Sequence, residues 1–380
     1  MKRKILIVLV IILSIYEYGM AQSTHLYEIG SKDSLYSNTL GEQRLIWVQL
    51  PENYSPESKQ KYPVVYVLDG AMHLKAVSTV LSYYWGGYMP EMILVGISNR
   101  DNRTRDLTTS AVKTRRGAAY DQETGGAENF TVFIEKELIP YIESNYPATA
   151  YRTLIGHSYA GLFTINMLIN HSPVFDNYVA IDPSLDWDNQ KLLHQSKELL
   201  SSGNYKGKSL FMSLSGQLHM QNNDITLDNV MQDTSEYTLF ARSNIEFSNS
   251  IKENKKNKLN YHWKFYEQDI HGTVSLPSIL DGLKFLFNWY PIENTDMFNS
   301  PDTPTDELIQ MIRKRELKLK DHFGYKVPPF DEELLTMLGY MNLEWGETQK
   351  SLAIFQLCIE YYPNSAEALK NIEELKEKTK

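Results

Sequence analysis

The sequence predicts an α/β fold: a mostly parallel sheet with helices on both faces, followed by a small all-α segment. Three observations carry this. Short β-branched apolar runs recur along the first 290 or so residues, stretches of helical periodicity separate them, and after Pro291 the texture turns charged and helical. Strands alternating with helices build parallel sheets, and such sheets bind ligands beyond the carboxyl ends of their strands.

At the start of the chain, Lys2, Arg3 and Lys4 precede an apolar run from Ile5 to Ile15, and Gly19-Met20-Ala21 supplies the small residues of a cleavage site. Residues 1–21 therefore read as a secretory signal peptide. The run is shorter than the roughly 20 residues a membrane span needs. The expectation is a periplasmic or secreted protein with no membrane span after cleavage.

Residues 42–50 alternate polar and apolar, as a half-buried strand does. Residues 62–69 (YPVVYVLD) and 92–98 (MILVGIS) are continuous apolar runs, as buried strands are. From Glu128 to Tyr146, Phe130, Phe133, Ile134, Leu138 and Ile142 have helical spacing. Further strands are expected at 152–156, 177–182, 208–215 and 261–266, and helices at 159–170 and 277–289. Residues 292–304, rich in Asn, Asp, Ser, Thr and Pro, read as a linker. In the segment 305–380, Leu338-Gly339, Gly346, Ser351, Phe355, Cys358 and Pro363 match the spacing of one tetratricopeptide repeat, with a capping helix at 365–378. One repeat cannot bury its own face, so it should lean on the main domain or on a protein partner.

Composition excludes several functions. The single cysteine forbids an internal disulfide and argues against a cysteine-built metal centre. The net charge of -9 disfavours a nucleic-acid partner. His219 near Asp224 is too few ligands for a metal site.

The chemistry centres on Leu154-Ile155-Gly156-His157-Ser158-Tyr159-Ala160-Gly161. A strand ends, a serine occupies a sharp turn, and a helix begins. Small neighbours are needed because strand and helix approach closely there. Ser158 is the expected nucleophile, and the Tyr159 amide with the helix dipole would stabilise an oxyanion. A serine needs a base. His271, after the last strand and 113 residues beyond Ser158, combines the right order with a loop position. Attack by a serine paired with a histidine requires no metal and no cofactor. His157 is read as structural, and His73 either lines the pocket or lies on the surface.

The orienting carboxylate is expected in the loop after strand 208–215, which offers Asp224, Asp228 and Asp233, with Glu236 beyond. Asp224 is favoured and Asp228 is next; a Ser–His dyad without an acid is the alternative. The second oxyanion donor is expected from the amide of Gly70 or Ala71, where glycine lets the backbone approach a substrate. Trp187 and Trp85, with Tyr83, Tyr84 and Tyr88, are candidates for stacking on a flat acyl group. Arg103 and Arg105 are candidates for an anionic substrate, although for Arg105 an ion pair with Asp106 in a structural loop is the preferred reading.

Several stretches together resemble a known group. They are Leu68-Asp69-Gly70, Arg103 to Thr108, Glu137 to Ile142, Gly156-His157-Ser158, Pro183-Ser184-Leu185-Asp186-Trp187, His271 to Val274 and Asp281 to Phe285. The chain resembles the putative-esterase branch of the α/β-hydrolases, the esterase D, enterochelin-esterase and feruloyl-esterase type. The resemblance implies an esterase domain over residues 22–291, with Ser158 as nucleophile and His271 as base of an acyl-enzyme mechanism. Ala160 stands where the family usually has glycine. The implied substrate is a small-molecule or glycan-linked ester: a siderophore ester, or a feruloyl or acetyl ester of a polysaccharide. The rivals are an acyltransferase on the same fold and a non-catalytic binding protein. The latter predicts a broken nucleophile or base, and both residues are present.

Overall fold

A computed structural model describes residues 29–57, 60–219 and 221–378. The signal-peptide reading of residues 1–21 lies outside the described residues. The strands are β1 (Ser31–Ser37), β2 (Glu42–Gln49), β3 (Tyr62–Val67), β4 (Ile93–Ile97), β5 (Thr114–Arg115), β6 (Ala118–Ala119), β7 (Ala148–His157), β8 (Asn177–Ile181), β9 (Ser209–Ser215) and β10 (Asn260–Tyr266). Eight form one sheet in the order β1-β2-β4-β3-β7-β8-β9-β10, while β5 and β6 make a separate hairpin. β1 and β2 enter antiparallel, and every pairing from β4 to β10 is parallel. The expected α/β class is the observed one.

The continuous apolar runs are explained by burial on both faces. In β3 every residue is buried, and the period of two divides them. Val64, Tyr66 and Leu68 enter one core with Leu154, Phe163 and Tyr178. Val65 and Val67 enter the other with Ile155, Val179, Phe211 and Leu283. The sheet order reverses between β3 and β7, since the chain leaves β3 for β4 on one side and returns to β7 on the other. The carboxyl ends of β3 and β7 therefore border a crevice at the switch point.

The expected helix from Glu128 to Tyr146 is three pieces: helix Ala127–Phe133, a π-turn at Ile134–Leu138 and helix Ile139–Asn145. The strand and helix expected on either side of Ser158 are β7 and helix Tyr159–Asn170.

The C-terminal helices are not a detached tail. Helix Thr305–Phe323 places Leu319 and Phe323 in the second core. Trp289 stacks flat on His322 at 3.8 Å. Arg315, buried, donates to the carbonyls of Pro329 and Tyr290, each at 2.8 Å. Helices Glu332–Glu344, Thr348–Tyr361 and Ala366–Lys378 pack around Phe355 and Cys358 in a further cluster, which Leu308 and Ile312 of helix Thr305–Phe323 join. Ser351 donates to the Gly339 carbonyl at 2.8 Å, and a Cβ on Gly339 would lie 2.7 Å from the Phe355 ring. Within residues 292–304 there is a short helix, Thr295–Phe298. Among the described residues no helix is long and apolar enough to cross a membrane.

Candidate active site

Ser158 closes β7 and opens helix Tyr159–Asn170. Its backbone has a positive φ of 63° with ψ -116°, a strained conformation for a non-glycine residue that persists only where its surroundings impose it. The neighbours show how. A Cβ on Gly156 would lie 2.3 Å from the Ala160 carbonyl oxygen, and one on Gly161 would lie 2.9 Å from Pro183 Cα. Both glycines are therefore set by close approach of helix and strands. Ala160 is itself buried and tolerated.

His271 reaches this turn from the loop after β10. Its Nε2 lies 3.1 Å from Ser158 Oγ. On the other side of the ring, Nδ1 lies 2.6 Å from Asp182 Oδ2. Asp182 follows β8, has φ 45° and is fully buried. Its carboxylate also accepts from the Ser215 amide at 2.9 Å and the Ser215 hydroxyl at 2.8 Å. Three donors thus compensate a buried charge that would be costly alone.

The carboxylate beside His271 is therefore Asp182, not Asp224. Asp224 is exposed in a loop held by its own turn contacts, with Asn222 Oδ1 accepting from the Asp224 amide at 2.9 Å. Asp228 and Glu236 are exposed too, and Asp233 accepts from Ser235 and Thr238 in a local cap. The rim position expected of an acid after β9 is held by Ser215, which serves the acid one strand further in. The sequence carried one signal: Asp182 ends an otherwise wholly buried strand, at the rim where the nucleophile's own strand ends. His219 is likewise committed locally, with Nδ1 accepting from the amides of Gln221 and Asn222.

The segment Asp182–Trp187 is a second feature that sequence reasoning did not assign. The Ser184 amide donates to the Ser158 carbonyl at 3.1 Å, and the Ser184 hydroxyl is 3.4 Å from Ser158 Oγ. Asn244 Nδ2 donates to the Pro183 carbonyl at 2.9 Å. One short stretch therefore carries the acid and braces the nucleophile.

At β3, Asp69 is left-handed, and its carbonyl accepts from the amides of Met72 and His73. The Gly70 and Ala71 amides, at the start of helix Gly70–Tyr84, have no partner among the described residues. The reason for glycine at 70 differs from the expectation. A Cβ there would meet the Gly96 backbone at 2.7 Å, so packing against β4 demands it. Arg103 ties the two strand ends together, pairing with Asp69 at 2.9 Å and donating to the His157 carbonyl at 3.3 Å.

The three substrate-binding candidates are each corrected. Trp187 is buried, its Nε1 donates to Ser110 at 3.1 Å, and it supports Tyr159 edge-on at 5.3 Å; it is a wall behind the site, not a stacking face. Trp85 caps the far end of helix Gly70–Tyr84, about 22 Å from the end that meets the site at 1.5 Å per residue. Arg105 is spent on Glu42 and Asp106, both at 2.7 Å, in a cluster that Arg44 completes. This holds Glu42 down at a pKa of about 2, chiefly through the Arg105 hydrogen bond, against its burial. The arginines beside the nucleophile are the other candidate, Arg103, and one the sequence did not single out, Arg115. The Arg103 and Arg115 guanidiniums lie over the Tyr159 ring at 5.3 and 5.0 Å, and Arg116 pairs with Asp186.

Two more imidazoles lie under the base. His157 packs against His271 at 4.6 Å between ring centroids, and His73 stands edge-on to His157 at 5.6 Å. Burial, and then the neighbouring His271 and His73, lower the pKa of His157 to about 3. Phe240 meets His271 at right angles, 5.4 Å away.

Comparison with known proteins places the chain among esterases by sequence and among α/β-hydrolases by fold. Residues 37–269 match the family described as "Putative esterase". The ferri-bacillibactin esterase BesA of Bacillus subtilis is 29% identical over 177 residues, 42% of this chain and 61% of that protein. A siderophore triacetylfusarinine C esterase of Aspergillus fumigatus is 28% identical over 184 residues, 45% of this chain and 62% of that one. The chain thus spans about three fifths of the length of these curated relatives. A crystal structure of an IroE-like serine hydrolase from Shewanella oneidensis superposes with a TM-score of 0.71 at 29% identity, covering 87% of this chain and 99% of that one. The architecture is that of the α/β-hydrolase fold.

Proposed function

Since this chain belongs to the "Putative esterase" family, we propose that it is a serine carboxylic-ester hydrolase working through Ser158, His271 and Asp182. The observation that carries the reading is the unbroken relay from Ser158 Oγ to His271 Nε2 at 3.1 Å, and from His271 Nδ1 to Asp182 at 2.6 Å.

In this mechanism Asp182 accepts from Nδ1–H, which leaves the Nε2 lone pair facing Ser158. His271 takes the hydroxyl proton as Oγ bonds to the ester carbonyl carbon. The carbonyl oxygen becomes an oxyanion, stabilised by the Tyr159 amide and by the amides of Gly70 or Ala71. Collapse expels the alcohol, which receives the proton from His271, and an acyl-enzyme remains. Water then repeats the sequence and frees Ser158. The imidazolium that forms twice is stabilised by the Asp182 carboxylate, held in place by Ser215.

For the substrate we infer a siderophore ester, the class named in the relatives BesA and the triacetylfusarinine C esterase. The arginines over Tyr159, although each is paired with a carboxylate (Arg103 with Asp69, Arg115 with Asp186), set positive charge beside the nucleophile, which suits an iron-bound catecholate better than an acetyl sugar. Export through the signal peptide, and a tetratricopeptide-like role for residues 305–380 in holding a protein partner, belong to the same proposal. The Gly339–Phe355 and Ser351–Gly339 contacts support a close helix pair of that kind.

The test is hydrolysis of a tris-catecholate trilactone and of p-nitrophenyl acetate, with fluorophosphonate labelling. Ser158→Ala and His271→Ala should each lose about 10⁴–10⁶ in kcat, and Ser158→Ala should not label. Labelling that persists in Ser158→Ala would end the serine mechanism. Turnover of acetyl or feruloyl sugars with no turnover of the trilactone would end the siderophore reading.

A further inference from the structure

We propose that His157, Asp182 and His271 form a binding site for a divalent transition-metal ion such as Zn²⁺, and that occupancy switches the hydrolase off. The three side chains each offer a ligand atom, and these atoms lie within 4.8 Å of one another. They are two imidazoles and a carboxylate, a donor set that suits zinc with a water in the fourth position. His157 Nε2 is buried and has no hydrogen-bond partner among the described residues. An unsatisfied buried nitrogen is costly, and no step of the ester mechanism uses it.

The geometry needs a modest rearrangement. Tetrahedral ligands at 2.0–2.1 Å from zinc stand about 3.3 Å apart, so the widest pair must approach by about 1.5 Å, and His271 Nδ1 and Asp182 Oδ2, now 2.6 Å apart, must separate by about 0.7 Å to admit the ion between them. Asp182 is fixed by two bonds from Ser215. The movement therefore falls to the two imidazoles: His157 Nε2 gives up no bond by shifting, and His271 draws back from the carboxylate. Access is from the His271 side, whose side chain is 37% exposed.

The consequence comes from counting one proton. In the relay proposed above, His271 carries its hydrogen on Nδ1 and its lone pair on Nε2. A metal on Nδ1 takes the lone pair there, so the ring's single hydrogen ends on Nε2. That nitrogen then faces Ser158 as a donor and cannot accept the hydroxyl proton. The Asp182 oxygen is then a metal ligand and no longer accepts from Nδ1. The inhibitory effect rests on the serine-hydrolase reading; the metal site itself does not.

The experiment uses the full-length protein, metal-free, in two readouts. The rate on p-nitrophenyl acetate is followed against added Zn²⁺, with Mg²⁺ as the oxygen-preferring control and EDTA to reverse. Binding is followed separately by the visible absorption of tetrahedral Co²⁺. The expected result is inhibition by micromolar Zn²⁺, none by Mg²⁺, full recovery with EDTA, and one Co²⁺ per chain. In His157→Gln, each rate taken relative to its own metal-free value, the half-inhibiting Zn²⁺ concentration should rise by at least about 10- to 100-fold, the loss that removing even an outer-shell partner causes. Equal inhibition of folded His157→Gln and wild type would overturn the site. So would a wild type that binds no tetrahedral Co²⁺, and this arm decides alone if the variant misfolds. Because the Co²⁺ readout needs no turnover, an inactive protein that still binds Co²⁺ would refute the esterase reading and keep the metal site.

Discussion

Replacing Asp182 by Asn tests the acid most sharply, because the change is nearly isosteric and its consequence is set by hydrogen-bond direction. The carboxylate accepts three bonds: from His271 Nδ1, the Ser215 amide and the Ser215 hydroxyl. An amide side chain has one accepting oxygen. The Ser215 amide is a fixed main-chain donor, so the Asn oxygen is held there, and its NH₂ group faces His271. A donor at that place requires Nδ1 to be the acceptor, which puts the imidazole hydrogen on Nε2, against Ser158. The base is then in the wrong tautomer although every heavy atom is near its original position. The expected loss is about 10⁴ in kcat, or about 5.4 kcal/mol at 1.36 kcal/mol per decade, with KM nearly unchanged. Steady-state hydrolysis of p-nitrophenyl acetate measures it, beside Asp224→Ala, which should remain within about twofold of wild type because surface changes away from special contacts do little. Circular dichroism checks that the fold persists. A loss of less than tenfold in Asp182→Asn, or a comparable loss in Asp224→Ala, would refute the reasoning.

Two further outcomes are set by the packing. Gly161→Ala puts a Cβ 2.9 Å from Pro183 Cα and 3.0 Å from the Ile181 carbonyl oxygen, so the segment carrying Asp182 must shift. A displacement of that kind should lower kcat by about 10²-fold although alanine favours the helix, and an unchanged rate would show that the segment yields without moving Asp182. The second concerns Glu42, whose pKa in the folded chain is about 2 against 4.5 as its ordinary value. Because the folded value is the lower one, its contribution is complete above pH 4.5 and is lost as pH falls toward 2. It is worth at most about 3 kcal/mol. Denaturant midpoints measured between pH 6 and pH 2.5 should fall less steeply in Glu42→Gln than in wild type, and parallel curves would show that Glu42 contributes nothing to the acid sensitivity.

Local chemistry made much of this protein legible in its sequence. The β-branched runs at 62–69 and 92–98 were readable because strands buried on both faces have no reason to alternate. The turn at Gly156 to Gly161 was readable because close approach of strand and helix demands small residues at fixed offsets. His271 was readable because it comes after the last strand of an α/β pattern. The helix break at Ile134–Leu138 left no mark, since a π-turn keeps the apolar spacing nearly helical. The deep ties of helix Thr305–Phe323 were hidden too: Leu319, Phe323 and His322 look like any amphipathic face until their partners at Tyr151 and Trp289 are known.

The sequence by itself determined the strand–helix alternation, the serine at its sharp turn and the histidine that could serve it, because each depends on residues a few positions apart. The partner of that histidine was decided only by tertiary structure. Asp182, Ser215 and His271 lie at the ends of three strands or the loops after them, and they meet because β8, β9 and β10 are neighbours in the sheet and end at one rim. Of the acidic groups available along the chain, Asp182 is the one that this lateral order sets beside the imidazole and that Ser215 anchors, and no spacing along the polymer records it.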